Sequence, residues 1–188
     1  ILKQLDHPNI ARVVEYGISE DDYPFLVTQY EEGIPMHVLL RRLRKENAKI
    51  RVDALRWILE CVASALDYAH NATDTTGLPL HLVHRDVSPQ NIYFTLEGGV
   101  RLLDFGLGRT TGQTVTREGI IKGKVPYMSP EQVEGRGVDA RSDIFSLGIV
   151  AWESITLRRL FRKSTDILTL AAVTQGSIPS LRDVEPSS

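Results

Sequence analysis

The feature that most constrains the fold of this chain is a helical apolar pattern over residues 52–70. Apolar side chains recur there at steps of three and four positions, at Leu55, Ile58, Leu59, Val62, Ala63, Leu66 and Ala69. Since an α-helix completes a turn every ~3.6 residues, this spacing lines one face of a helix with apolar groups. We therefore expect a core helix.

Two pairs of short segments predict β-hairpins. Residues 10–16 and 24–30 are rich in Val, Ile, Tyr and Phe and flank a polar turn. Residues 92–96 and 100–103 are apolar and flank Glu97-Gly98-Gly99, a sequence suited to a tight turn. We expect each pair to form an antiparallel hairpin.

Helical patterns also cover residues 36–47, 142–157 and 166–173, and residues 1–5 resemble the tail of an amphipathic helix. A polar, Gly- and Thr-rich stretch at residues 109–124 predicts a loop. Neither a repeat nor a Ser/Gly-rich linker divides the chain. The predicted fold class is therefore α+β, in one continuous unit of 188 residues.

Composition excludes several classes of function. The 24 acidic and 22 basic side chains give a net charge of −2, which does not favour a nucleic-acid partner. A single cysteine, Cys61, excludes an internal disulfide framework, fits a reducing compartment and is expected in the core. No apolar run reaches the ~18 to 20 residues of a membrane-spanning helix. We expect a soluble, cytoplasmic segment without membrane contact.

Polar side chains gather at both open ends of the second predicted hairpin. Segment 84–91, His-Arg-Asp-Val-Ser-Pro-Gln-Asn, precedes it, and segment 104–106, Asp-Phe-Gly, follows it. Because a hairpin returns its ends to one place, Asn91 and Asp104 should lie within a few ångströms, with Asp86 nearby. Their carboxylate and amide oxygens are hard ligands suited to Mg²⁺. The alternative is that each Asp merely caps a turn.

These segments resemble the motifs of a known family. Segment 84–91 resembles the catalytic loop of protein kinases, segment 104–106 their metal-binding motif, and Ser-Pro-Glu at 129–131 the end of their activation segment. The order matches, with 18 residues from Asp86 to Asp104 and 27 more to the Glu of the third motif. The resemblance covers essentially the whole chain and implies a protein-kinase-like fold.

The resemblance implies roles for single residues. Asp86 would accept the substrate hydroxyl proton, and Asn91 and Asp104 would be the Mg²⁺ ligands that hold the ATP phosphates. Thr28 would gate the adenine pocket, and Tyr93 would also lie in the nucleotide site.

Further residues follow from the same resemblance. The backbones of Gln29 and Glu31 would hydrogen-bond adenine. A hydrophobic spine would join His84 and Phe105 with Leu2 and Val13, anchored on Asp143. Arg85 would receive a phosphate from a threonine of the activation segment, and the available ones are Thr110, Thr111, Thr114 and Thr116.

One position departs from the family pattern. A Lys usually stands two residues after the catalytic Asp, where this chain has Ser88. Its usual partner is a Thr after the Gly of the substrate-binding loop, whereas this chain reads Gly123-Lys124. We expect hydroxyl and ammonium to have exchanged places, so that Lys124 supplies the cation that Ser88 does not. The alternative is that Lys124 is a solvated loop lysine.

The resemblance also implies an organisation into parts. Residues 1–30 would be the end of the small lobe, and residues 31–188 the hinge and a large lobe without its last helices. The resemblance implies that the Gly-rich loop, the Lys of the third strand and the Glu of the third helix lie upstream, so this chain alone is expected to be inactive. The resemblance also allows a dimer through those small-lobe parts.

The activity that follows is transfer of the γ-phosphoryl group of Mg·ATP to a protein substrate. Pro89 follows the pattern of kinases that act on Ser or Thr, and the motifs look most like bacterial members. Two other functions stay open: a non-catalytic kinase-like scaffold, and a small-molecule phosphotransferase of related fold.

Overall fold

The computed structural model describes residues 5–105 and 124–184. Leu2, Gly106, Gly123 and the four threonines of the predicted activation segment lie outside the described residues, as does most of the predicted first helix. The elements are β1 Val13–Ile18, β2 Pro24–Thr28, β3 Gly33–Pro35, α1 Met36–Glu46, α2 Val52–His70, β4 Ile92–Thr95, β5 Val100–Leu102, a 3₁₀ turn Val125–Tyr127, α3 Pro130–Val133, α4 Ala140–Thr156, α5 Asp166–Gln175 and α6 Leu181–Val184.

Helix α2 is central to the core, as its apolar spacing predicts. It packs against α4 and β5. Its buried residues are Leu55, Ile58, Val62, Ala65, Leu66 and Ala69. Leu59, Cys61 and Ala63 are partly buried and pack against the same core.

The observed helices follow the predicted ones closely, with differences at their ends. Helix α4 begins at Ala140 rather than at 142, because the side chain of Asp139 accepts a hydrogen bond from Arg141 N and caps it. Helix α5 runs on to Gln175 rather than ending at 173, and it stops where Gly176 adopts a left-handed conformation, with φ of 64°.

Both predicted hairpins are present. Strands β1 and β2 pair antiparallel, with Val13 opposite Thr28 and Ile18 opposite Pro24. Strands β4 and β5 also pair antiparallel, with Ile92 opposite Leu102. The α+β fold class is confirmed.

A third strand was not predicted from the sequence. Strand β3 pairs with β4 and completes a three-stranded sheet in the order β3-β4-β5. At its start, a Cβ on Gly33 would lie 1.9 Å from the Phe94 carbonyl oxygen, so only glycine permits this close approach of the strands.

The chain segment before β1 joins the two sheets. Leu102 N donates to Asn9 O at 2.7 Å, and Ala11 N donates to Leu102 O at 3.0 Å. These bonds place the first hairpin beside β5. In the part of the chain that the structure describes, no helix is long and apolar enough to span a membrane.

Candidate active site

The β4–β5 hairpin brings its two polar ends together. Leu103 N donates to Asn91 O at 2.8 Å, so Asp104 directly follows the residue that pairs with Asn91. Asp104 is exposed and has a positive φ of 62°. Such a conformation is unfavourable for a residue other than glycine and is found mostly where neighbouring structure enforces it. The predicted convergence of Asn91 and Asp104 at one end of the hairpin is confirmed.

Asp86 and Asn91 are in direct contact. Asn91 Nδ2 donates to Asp86 Oδ2 and to Asp86 O, each at 2.8 Å. Asn91 N also donates to Ser88 O at 2.9 Å, which closes the loop between them. Asn91 is buried, whereas the Asp86 side chain is 37% exposed. Asn91 therefore fixes a carboxylate that solvent can reach.

The ammonium group of Lys124 lies among these side chains. Lys124 Nζ donates to Asn91 Oδ1 at 2.8 Å, to Ser88 Oγ at 3.0 Å and to Asp86 Oδ2 at 3.2 Å. The Ser88 side chain is fully buried. The contact between Lys124 and Ser88 that the sequence predicted is present, and the alternative of a solvated lysine does not fit it. The bond to Asn91 was not predicted.

A buried carboxylate holds the backbone of the loop. Asp143 Oδ2 accepts from His84 N and Asp143 Oδ1 from Arg85 N, both at 2.8 Å. Arg85 has a positive φ of 68°, a strained conformation that these bonds stabilise. His70 Nε2 lies 2.7 Å from Asp143 Oδ2. The resemblance predicted Asp143 as an anchor, but the contact with His70 was missed. The only signal for it in the sequence was the position of His70 in the last turn of α2.

His84 is buried and its ring is held on two sides. Its Nε2 lies 2.7 Å from Leu103 O, and Asp86 N donates to its Nδ1 at 3.2 Å. Burial lowers the pKa of His84 below its ordinary value, although Asp143 opposes this. A neutral ring protonated on Nε2 satisfies both bonds. Its ring also meets that of Phe105 edge-on at 4.6 Å, as the predicted spine requires.

Helix α3 supports the loop from outside, and sequence reasoning missed it. Ser129 and Gln132 form a capping box, in which each side chain bonds the backbone of the other. Gln132 Nε2 then donates to Arg85 O at 2.9 Å. The pattern Ser-x-x-Gln was a usable signal for this helix start.

The residues that the resemblance assigned to the nucleotide site lie near the end of β2 and on β4. Thr28 is the register partner of Val13. Gln29 N donates to Arg12 O at 2.9 Å, and the Tyr93 hydroxyl donates to Glu31 O at 3.2 Å. Those bonds leave the carbonyl of Gln29 and the N–H of Glu31 without backbone partners among the described residues.

An ion pair fixes this segment to the second sheet. Arg101 donates to both carboxylate oxygens of Glu31, with Nε to Oε2 and Nη2 to Oε1 each at 2.9 Å. Arg101 also donates to Pro8 O. Two-pronged pairs of this kind fix geometry as well as charge. Glu31 thus has a structural contact that its predicted role did not include.

The family of this chain follows from its sequence match. The description "Protein kinase domain" matches residues 1–185. The chain belongs to the protein kinase family. Its mixed α and β content, with small sheets and helices, is consistent with the kinase-like fold that the resemblance implied.

Similar curated kinases come from several bacteria. MasK of Myxococcus xanthus, named a tyrosine-protein kinase, is 38% identical over 184 residues. SCO3848 of Streptomyces coelicolor, named a probable serine/threonine-protein kinase, is 35% identical over 163 residues. PrkC of Bacillus subtilis, named a serine/threonine-protein kinase, is 32% identical over 184 residues. The alignments cover 97%, 84% and 97% of this chain and 28%, 22% and 26% of the relatives. The chain thus spans about a quarter of the length of each.

The donor set of this kinase domain suits Mg²⁺ rather than a softer metal. Among the described residues, no group of three or more His, Cys, Asp or Glu side chains could hold a metal ion. Asn91 Oδ1 and the Asp104 carboxylate are hard oxygens at one end of the hairpin, and Asn91 Oδ1 keeps a second lone pair beside its hydrogen bond from Lys124 Nζ. Mg²⁺ commonly takes one or two protein oxygens and completes its shell with water and phosphates.

Proposed function

We propose that this kinase domain transfers the γ-phosphoryl group of Mg·ATP to serine or threonine hydroxyls of protein substrates. The observation that carries the proposal is the hydrogen-bonded cluster of Asp86, Ser88, Asn91 and Lys124 beside Asp104. Phosphoryl transfer depends mostly on positioning and on neutralising phosphate charge, and this cluster supplies a fixed carboxylate and a cation.

Asp86 is the proposed acceptor of the substrate proton. Its Oδ2 is held by Asn91 and Lys124, while its Oδ1 has no hydrogen bond from the described residues. The substrate hydroxyl would give its proton to Oδ1 as its oxygen bonds to the γ-phosphorus. The bond from that phosphorus to the bridging oxygen breaks, and ADP leaves with the electron pair.

Lys124 is the proposed phosphate-facing cation. The buried Ser88 cannot supply a positive charge, but it accepts a hydrogen bond from the ammonium and so fixes its position. Arg and Lys side chains stabilise the negative charge of a transferring phosphoryl group because they are positively charged, and they do so most effectively when their position is fixed before the reaction. We assign that role to Lys124, whose ammonium would exchange one of its three present hydrogen bonds for a phosphate oxygen, and a positioning role to Ser88.

Nucleotide binding is assigned to two groups of residues. Gln29 O and Glu31 N are the proposed partners of adenine, with Thr28 at the back of the pocket and Tyr93 fixing the segment through Glu31. Asn91 and Asp104 are the proposed Mg²⁺ ligands. The bound metal would neutralise phosphate charge.

The choice of acceptor hydroxyl has two candidates. Serine or threonine is favoured by Pro89 in the loop and by the names of the relatives SCO3848 and PrkC. Tyrosine is the second candidate, because the relative MasK is named a tyrosine-protein kinase. The retention of Asp86, Asn91 and Asp104 argues against a non-catalytic scaffold, which has no need for all three.

We further propose a division at the segment between β2 and β3. Residues 1–30 hold the two-stranded sheet and would be the end of a small lobe, and residues 31–188 would be the hinge and the large lobe. A cytoplasmic location is proposed for this part of the protein, since its proposed substrate ATP is there.

The test is labelling of the protein in its natural full length with γ-labelled Mg·ATP, followed by phosphoamino-acid analysis. The proposal expects phosphoserine or phosphothreonine. Phosphotyrosine alone would select the second candidate, and nucleotide binding without any transfer would favour the scaffold.

A further inference from the structure

A cavity of about 290 Å³ lies beside the proposed catalytic cluster. Its lining residues are Gln90, Lys124, Val125, Pro126, Tyr127, Arg159, Arg162 and Asp166. Lys124 belongs both to this lining and to the cluster around Asp86. Lys124 therefore links the cavity to the carboxylate that is proposed to accept the substrate proton.

Basic side chains dominate the charged lining. The lining contains three cationic residues, Lys124, Arg159 and Arg162, and one carboxylate, that of Asp166, while the Lys124 ammonium itself is bonded to Asp86. Arg162 is exposed and forms no ion pair within residues 5–105 and 124–184. Its guanidinium therefore keeps a fork of N–H donors that matches the two oxygens of a carboxylate.

The buried carboxylate of Glu153, which lies behind the lining residues Tyr127 and Arg159, already has its hydrogen-bond donors. Glu153 is fully buried and accepts from the Tyr127 hydroxyl at 2.8 Å, from Arg159 Nη1 at 2.9 Å and from Leu160 N at 3.1 Å. Burial, and then the charge of Glu153, raise the pKa of Tyr127 above its ordinary value, so the phenol stays a neutral donor. Glu153 is thus closed to a basic side chain of a substrate.

The hydrogen bonds around Glu153 use only part of the Arg159 side chain. Its Nη1 binds Glu153, but its side chain remains 40% exposed at the cavity. The field of these cations extends beyond the cavity. The pKa of His37 is lowered by burial first and then by Arg41, Lys124 and Arg159. The charges of Lys124 and Arg159 therefore also act on His37 in α1.

We propose that this cavity binds an acidic side chain of the protein substrate, a carboxylate close to the hydroxyl that accepts the phosphoryl group. We name it the acid pocket and define it by Arg159, Arg162 and the part of Lys124 that lies closest to its backbone. The inference rests on the proposed kinase function and adds the substrate class: hydroxyl residues with an acidic neighbour. Arg162 is its principal ligand, and Asp166 limits the preference.

The test uses the natural full-length protein and a peptide series with one acceptor hydroxyl. Glu, Gln, Lys or phosphoserine is placed in turn at each position within three residues of the acceptor, and kcat/KM and peptide binding are both measured. At one position at least, Glu should exceed Gln about fivefold or more, as a hydrogen-bonded charge pair allows, and Lys should fall below Gln.

Substitutions then assign the preference to the pocket. Arg162→Gln should bring the Glu-to-Gln ratio towards one, and Asp166→Asn should raise it. The matched control is Lys163→Gln, an exposed neighbour that does not line the cavity, which should leave the ratio unchanged.

Each other outcome has a distinct meaning. Equal kcat/KM for Glu and Gln peptides at every position, with transfer intact, overturns the acid pocket but not the kinase function. A preference for phosphoserine with no preference for Glu overturns the carboxylate assignment. If no peptide is phosphorylated, the proposed kinase function is wrong. In that case peptide binding still tests the acid pocket, and equal affinity for Glu and Gln peptides would overturn it.

Discussion

Lys124 Nζ lies 3.0 Å from Ser88 Oγ, across 36 residues of chain. The family pattern has a Lys where this chain has Ser88. The ammonium group is supplied instead by Lys124, which contacts Ser88. The two side chains therefore form one unit, and their effects on activity should be coupled.

The first prediction concerns Lys124→Ala. If the ammonium meets the transferred phosphoryl group, this change should lower kcat much more than it changes KM for ATP, because the contact strengthens in the transition state. Ser88→Lys should partly restore kcat in that background. Steady-state kinetics of the natural full-length protein measure both.

The matched control for this pair is Ser88→Lys in the wild-type background. It should be neutral or harmful, since it places two ammonium groups side by side. A double-mutant cycle should show a coupling energy of at least ~1 kcal/mol. Additive effects would contradict the role of Lys124 as the phosphate-facing cation.

Most of the large elements could be predicted from the sequence. The bounds of α2, Val52–His70, match the predicted range, because the apolar repeat continues over five turns. Strand β3 was missed because three residues, Gly33–Pro35, are too short to show a period. It forms through pairing with β4, a contact distant in sequence.

The site could be predicted in part. Motif spacing placed Asp86, Asn91 and Asp104 together, and the exchange of side-chain types predicted the contact of Lys124 with Ser88. The bond of Lys124 to Asn91 and the contact of His70 with Asp143 depend on side-chain reach across packed elements, which a pattern in one chain does not specify.

The second prediction concerns the loop anchor. Asp143→Ala removes a buried acceptor from the N–H groups of His84 and Arg85, and a buried donor without a partner costs ~1 to 3 kcal/mol. The free energy of unfolding should fall by ~2 to 4 kcal/mol, as denaturant melts would show. Asp21→Ala, in the exposed turn of the first hairpin, should change it by less than ~0.5 kcal/mol.

The third prediction concerns pH. The pKa of His84 is lowered in the folded state, so the unfolded chain binds more protons as the pH falls below the unfolded value of ~6.5. The neutral His84 ring therefore contributes its full stabilisation above pH ~6.5. This contribution is lost as the pH falls towards the pKa of His84 in the folded state. The free energy of unfolding, obtained from denaturant melts, should change with pH below ~6.5 with different slopes in wild type and in His84→Gln. Equal slopes would contradict the neutral ring.

The fourth prediction concerns regulation. Arg85 Nε is buried and has no partner among the described residues, which leaves a donor for a phosphate. Active protein should carry phosphate on one of the activation-segment threonines, first of all Thr114 or Thr116. Phosphosite mapping by mass spectrometry tests this. Active protein unmodified at Thr110, Thr111, Thr114 and Thr116 would contradict it.

The most direct measurement of the central claim is single-turnover transfer from γ-labelled Mg·ATP by wild type and by Asp86→Asn in the natural full-length protein. General-base assistance is worth ~10² to 10⁴-fold, so transfer should fall by that factor while equilibrium binding of ATP stays nearly unchanged. Asp21→Asn, an exposed carboxylate in the first hairpin turn, should transfer normally. Normal transfer by Asp86→Asn would contradict the assignment of Asp86 and with it the proposed site.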